Sequence, residues 1–151
     1  MASTFLTHLR EGFAKAGGGK GLEDFTILPG VTVIVSDDVA AARRPVKQGL
    51  ALYVGGMGAR DKNFYNDLAK RLGYEEAAVR IQDLFLEGRR EEAAEAVPDE
   101  LVDAVHLVGP ERRIRERLGA WKEARDQGLV NGMNVQTSQP EALEIVADEL
   151  L

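Results

Sequence analysis

Cysteine is absent from these 151 residues, which excludes disulfides, thiolate metal sites and cysteine nucleophiles and is compatible with a reducing cytosol. Histidine occurs only at His8 and His106, far apart and at no ligand spacing, so neither a metal site nor a hydrolytic triad is expected. No apolar run approaches the roughly 20 residues of a membrane-spanning helix. The first residues also lack the basic region and continuous apolar stretch of a signal peptide. The expected location is the cytoplasm. Positive charge is in short supply too: 19 Lys and Arg against 25 Asp and Glu give a net charge of −6, and the pI is near 5.0. That balance argues against nucleic-acid and membrane partners, whose phosphates a basic face would have to neutralise. What remains, 44% hydrophobic and 29% charged, is the composition of one globular domain over residues 1–151.

Leu6, Leu9, Phe13 and Ala16 recur at helical spacing, predicting an amphipathic surface helix that stops at Gly17, Gly18 and Gly19. Residues 25–28 and 31–35 read as a strand region, and the β-branched run from Val31 to Val35 predicts burial on both faces, as in parallel sheets. Asp37 and Asp38 follow as helix caps, with a ligand role at the strand end as the lesser alternative. Residues 38–105 are almost continuously helical in pattern, with breaks expected at Pro45, at the glycines of 55–58, at Gly73, at Gly88 and at Pro98. Phe64, Leu68 and Leu72 form one expected core stripe; Ala77, Ile81, Leu84 and Phe85 form another.

Leu107-Val108-Gly109-Pro110 reads as an apolar lead-in to a helix that buries Ile114, Leu118 and Trp121. Residues 133–137 are a weak strand, and Pro140 starts a last helix with Leu143, Val146, Ala147 and Leu150 on its buried side. Strands separated by helices imply an α/β fold with parallel pairing. Two strands cannot close a barrel, and a full eight-unit barrel takes roughly 250 residues.

The most particular stretch is 51–74, where three glycines within four positions, Gly55, Gly56 and Gly58, bring Tyr53, Arg60, Lys62, Asn63 and Tyr65 together. Two readings stay open. The glycines admit a flat or anionic ligand beside cations and stacking rings, or they make a sharp corner between helices. No dinucleotide or phosphate-loop fingerprint is present; the glycines of 17–21 follow a helix and precede a strand, the reverse of the order such loops need. Arg112, Arg113, Arg115 and Arg117 read as a solvated face paired with glutamates rather than a phosphate site, and His106 as a packed histidine.

Several words in this sequence resemble the deazaflavin-dependent branch of the luciferase-like monooxygenase family. They are Ala-Leu-Tyr-Val-Gly-Gly-Met-Gly at 51–58, Asn-Phe-Tyr-Asn at 63–66, Arg-Leu-Gly-Tyr-Glu at 71–75, Ile-Gln-Asp-Leu-Phe-Leu at 81–86 and Leu-Val-Gly-Pro at 107–110. The resemblance implies the carboxyl-terminal part of a TIM-type (β/α)8 barrel, with 38–105 as a helical insertion between its last two strands. It also implies an oxidoreductase that moves hydride between a small organic substrate and coenzyme F-420 (8-hydroxy-5-deazaflavin), or alternatively FMN. Tyr53, Gly55, Gly56, Met57, Gly58, Arg60, Lys62 and Asn63 would then be cofactor-pocket or lid residues, with no catalytic residue assigned. The barrel's earlier strands have no counterpart here, so a second reading is a truncated, noncatalytic α/β module. Such a module would act through self-association or partner binding at unpaired sheet edges; a homo-oligomer or the missing amino-terminal half of the barrel is the expected partner.

Overall fold

The computed structural model describes residues 2–151. A first helix, α1 (Ala2–Ala16), lies on the surface as expected: Leu6, Leu9 and Phe13 are half-buried, while Ala16 is exposed. It ends at Gly17, Gly18 and Gly19, all left-handed with φ of 69°, 74° and 70°, a run that only glycine adopts without strain. Residues 25–28 do not form a strand. Phe25 instead meets Phe13 edge to face, with ring centroids 5.7 Å apart.

β1 (Gly30–Val35) is the central strand of a three-stranded parallel sheet ordered β2-β1-β3. β2 (Leu107–Gly109) was expected to be only a lead-in to the following helix, but it pairs with β1 at Val33–Leu107, Ile34–Val108 and Val35–Gly109. Three residues are too few to show a strand period, which is why the sequence reads them as a helix start. β3 (Asn134–Gln136), the weak strand, pairs on the other side at Gly30–Asn134, Val31–Val135 and Thr32–Gln136. β1 and β2 are consecutive in sequence and adjacent in the sheet, as barrel strands are, whereas β3 pairs with β1 rather than with β2, and the three strands form an open parallel sheet.

Helices cover both faces of this sheet. Val31, Val33 and Leu107 are buried against Ile114 and Leu118 of α7 (Glu111–Asp126) and Ala142, Ile145 and Val146 of α8 (Pro140–Leu150). Leu143, expected on the buried side of α8, points outward, because the inward face runs 142, 145, 146. On the opposite face Ile34 and Val108 join a second core built by the helices of 39–105. The expected burial on both faces is complete on only one: Val31 and Val33 are fully buried, while Thr32 and Ile34 on the other face are only partly covered.

The helical stretch comprises α2 (Val39–Ala51), α3 (Phe64–Arg71), α4 (Glu75–Leu86), α5 (Arg90–Glu95) and α6 (Asp99–Val105). Of the two aspartates expected to cap α2, Asp38 does so, accepting from the Ala41 amide at 2.9 Å. Pro45 does not break α2 but lies inside it. Gly73 and Gly88, with φ of 94° and 82°, close α3 and α4. No helix is long and apolar enough to cross a membrane among the described residues.

Candidate functional site at the π-helical turn

α2 does not stop at the glycines. It runs on through a π-helical turn, Leu52–Gly56, and the chain breaks away only at Met57. A π turn shifts carbonyls out of the ordinary ladder, and such turns cluster at functional sites. Gly55 and Gly56 continue the helix with no positive φ, which corrects the expectation that they would interrupt it. Their small size answers to α4: a Cβ at Gly55 would lie 2.5 Å from Phe85 Cβ, and one at Gly56 would lie 2.3 Å from Phe85 Cε1. A Cβ at Gly58 would meet the Lys62 carbonyl at 2.4 Å, inside the tight turn that Ala59 and Lys62 close. Packing therefore gives all three glycines a reason to be there.

The displaced carbonyls are taken by two asparagines. Asn63 Nδ2 donates to Tyr53 O at 3.1 Å and to Val54 O at 3.0 Å. Asn66 Nδ2 donates to Val54 O at 3.1 Å and to Ala78 O at 2.8 Å, tying the turn to α4. Asn63 Oδ1 also caps α3, accepting from the amides of Tyr65 at 3.0 Å and Asn66 at 3.1 Å. Both asparagines are 1% exposed, so the inward face of α3 is Asn66 and Ala69 rather than the expected apolar stripe. Phe64, placed in that stripe by its spacing, is 61% exposed, and Leu68 and Leu72 are half-buried.

Above these buried amides lies an exposed apolar surface. Tyr53 and Tyr65 meet edge to face at 4.7 Å, and Phe64 meets Tyr65 at 5.4 Å. Leu52 and Met57 are exposed beside them. Arg60 is paired with Asp83 of α4, while Lys62 makes no ion pair among the described residues. The structure brings part of the sequence-derived set together: Asn63 is buried and bonded to the Tyr53 carbonyl, Gly58 packs on the Lys62 and Asn63 backbone, and Tyr53 and Met57 are exposed, while Arg60 turns to Asp83. Tyr65, Phe64 and Leu52 belong to the same surface, and Asn66 to its foundation. Asn66 was missed because a polar residue at an inward helical position leaves no hydrophobic signature.

The surface is a wall rather than an enclosed pocket. Two grooves lie elsewhere, one lined by Glu76, Arg80, Glu92 and Glu95 and another by Arg10, Phe13, Lys20 and Leu22. His106 is a packed histidine: its Nδ1 accepts from the Thr32 amide at 3.1 Å, and burial pushes its imidazole below the ordinary 6.5. No group of three or more His, Asp or Glu is placed to hold a metal among the described residues.

Comparison with known proteins bears on this surface. The sequence pattern described as luciferase-like monooxygenase matches residues 2–128, from α1 through α7, and leaves β3 and α8 outside the match. A protein of Mycobacterium tuberculosis (strain ATCC 25618 / H37Rv), provisionally named a coenzyme F420-dependent oxidoreductase, is 43% identical over 124 residues. Those residues are 82% of this chain and 36% of that protein, so the chain spans little more than a third of its relative. No solved structure matches significantly. With a family pattern over most of its length and a relative of this identity, the chain belongs to the luciferase-like monooxygenase family.

Proposed function

We propose that this chain forms part of an oxidoreductase that transfers hydride between coenzyme F-420 and a small organic substrate. The observation that carries this reading is the 43% identity to a relative named for that cofactor. On this reading residues 38–105 are an insertion between barrel strands, and the wall above the π-helical turn borders the cofactor site.

The residues present suit one side of such a site. Tyr53 and Tyr65 offer aromatic edges and faces to a flat ring. Met57 and Leu52 add apolar surface that would shed water against it. Lys62, with no ion-pair partner among the described residues, is available to an anionic group. Asp83 holds Arg60 and would have to release it before Arg60 could do the same. The deazaflavin, when bound, supplies the hydride-accepting or hydride-donating ring; these side chains hold and orient it. Asn63 belongs to this set by location, but its amide is fully used within the chain.

The test is a fluorescence titration of purified chain with coenzyme F-420 and, separately, FMN. Saturable binding of F-420, weakened in Tyr53→Ala and in Lys62→Ala without loss of fold, is expected. Binding indifferent to both substitutions would remove this wall from the cofactor site.

A further inference from the structure

Both tyrosines of the wall depend on one buried side chain. Asn63 Oδ1 accepts from the Tyr65 amide at 3.0 Å, while Asn63 Nδ2 donates to the Tyr53 carbonyl at 3.1 Å. Ten residues separate Asn63 from Tyr53, and a π-helical turn lies at the far end of that link. Asn66 reinforces it from below by donating to Val54 O and to Ala78 O of α4. An unpaired buried carbonyl is costly, so the turn keeps its π geometry only while these donors are present. A simple helix cap would need only the oxygen of Asn63. Its two N–H donors are spent on the turn instead, a demand met by a side-chain amide and by neither Ser nor Asp.

We infer that Asn63, supported by Asn66, is a positioning residue: it fixes the Tyr53–Tyr65 ring pair by holding the backbones of both, without touching the ligand. In its ligand aspect this rests on the cofactor reading above; the ring geometry does not. The pair's centroid distance of 4.7 Å is then set from underneath, and a ligand meets a wall already in place, which lowers the cost of ordering it on binding.

The discriminating variant is Asn63→Ser. Serine keeps the cap of α3 but is too short to reach both carbonyls of the turn. Asn63→Asp keeps the size and the acceptor while removing both donors. Asn131→Ser is the control for general destabilisation, since Asn131 Oδ1 accepts from Ile27 N at 2.7 Å on the far side of the molecule. In Asn63→Ser, ring-to-ring nuclear Overhauser contacts between Tyr53 and Tyr65 should disappear while helical content is kept. F-420 affinity should fall by about tenfold or more, the scale of a misplaced binding surface. Asn131→Ser should lower the melting temperature and leave both readouts alone.

Retained ring contacts and unchanged affinity in both Asn63 variants, with only a lower melting temperature, would overturn the inference. Should Asn63→Ser fail to fold, Asn63→Asp decides by the same readouts, and Asn66→Ser, which leaves the cap intact, decides if both fail. If the unsubstituted chain binds neither F-420 nor FMN, the cofactor reading falls. The ring contacts then decide the positioning role by themselves, their loss in the variants supporting it and their persistence overturning it.

Discussion

Gly55 and Gly56 face the same ring but at different depths. At Gly56 the nearest atoms are the outer ring carbons of Phe85, which could swing aside; at Gly55 they are Phe85 Cβ and the Ile81 carbonyl at 3.2 Å, which cannot. Arg90 lies over the Phe85 ring at 5.5 Å and resists its movement. Since neither glycine has a positive φ, the penalty for alanine is steric overlap rather than backbone strain. Gly56→Ala should destabilise by about 1–3 kcal/mol in denaturant unfolding, and Gly55→Ala by at least as much. Phe85→Leu removes the outer ring atoms but keeps Cβ, so it should recover part of the loss in Gly56→Ala and little in Gly55→Ala. Equal recovery in both would mean that the close approach is not what these glycines serve. His106 supplies a second residue-level test. Its imidazole accepts a backbone N–H only when neutral, and its folded pKa lies below the ordinary 6.5. The unfolded chain then binds a proton first as pH falls. The stability that neutral His106 contributes is fully present above about pH 6.5 and drains away as pH drops toward the folded pKa. His106→Asn, which can keep an acceptor without titrating, should flatten that part of a pH series of melting curves; an unchanged slope would assign the acid limb to other groups.

At the scale of elements, an ion network binds the helical stretch to the sheet. Arg43 of α2 donates to Asp99 at 2.6 Å and to Asp103 at 2.7 Å on α6, and Arg113 of α7 donates to the same Asp103 oxygen at 2.6 Å and to Val108 O of β2 at 3.1 Å. Lys47 reaches Asp99 at 2.6 Å. Side-chain exposure is 14% for Arg43, 19% for Asp103 and 33% for Arg113, so Asp103→Ala takes a carboxylate from two poorly hydrated guanidiniums, leaving Arg43 with Asp99 and Arg113 with only the Val108 carbonyl. A loss of about 2–4 kcal/mol is expected, less than for a fully buried pair because Arg113 is partly solvated. Arg112→Ala, which breaks a wholly exposed pair with Glu116, should barely register in the same melts. Comparable losses from the two would show the network to be surface decoration. Arg113 was expected on a solvated face, a reading that holds for Arg112 but not for its neighbour, because helical charge spacing records which residues repeat and not which helix will cover them. The same limit explains the faces of α3 and α8. Ala77, Ile81, Leu84 and Phe85 of α4 pack inward as expected, since apolar periodicity is strong there. On α3 the inward places belong to Asn66 and Ala69, and the large apolar residue looks outward. Part of the candidate site was thus legible as composition, a glycine and tyrosine cluster with Asn63 among it, while Asn66 in its foundation was not, because a buried amide at an inward helical position follows no hydrophobic pattern.

For the molecule as a whole, helices on both faces of the β2-β1-β3 sheet replace the uncovered face that two strands would have left. Gln139 completes the sheet's carboxyl end: its side-chain amide accepts from Val35 N at 2.8 Å and donates to Val35 O at 2.9 Å, pairing with β1 as a strand residue would. The structural core is therefore covered, and the large apolar side chains left exposed include the wall of Leu52, Tyr53, Met57, Phe64 and Tyr65 as well as scattered residues such as Phe25, Leu28, Leu86 and Leu143. That contrast bears on activity. Hydride transfer depends on a site that shuts water out and holds donor and acceptor in contact. A wall open to solvent, with Arg60 tied to Asp83, supplies contact surface but no enclosure. The isolated 151 residues are accordingly expected to bind coenzyme F-420 without accelerating its reduction or oxidation. Following cofactor absorbance with a panel of small alcohols and aldehydes checks this. Turnover well above that of free cofactor would show that the wall closes over its ligand on binding, and would place the reacting groups within these residues after all.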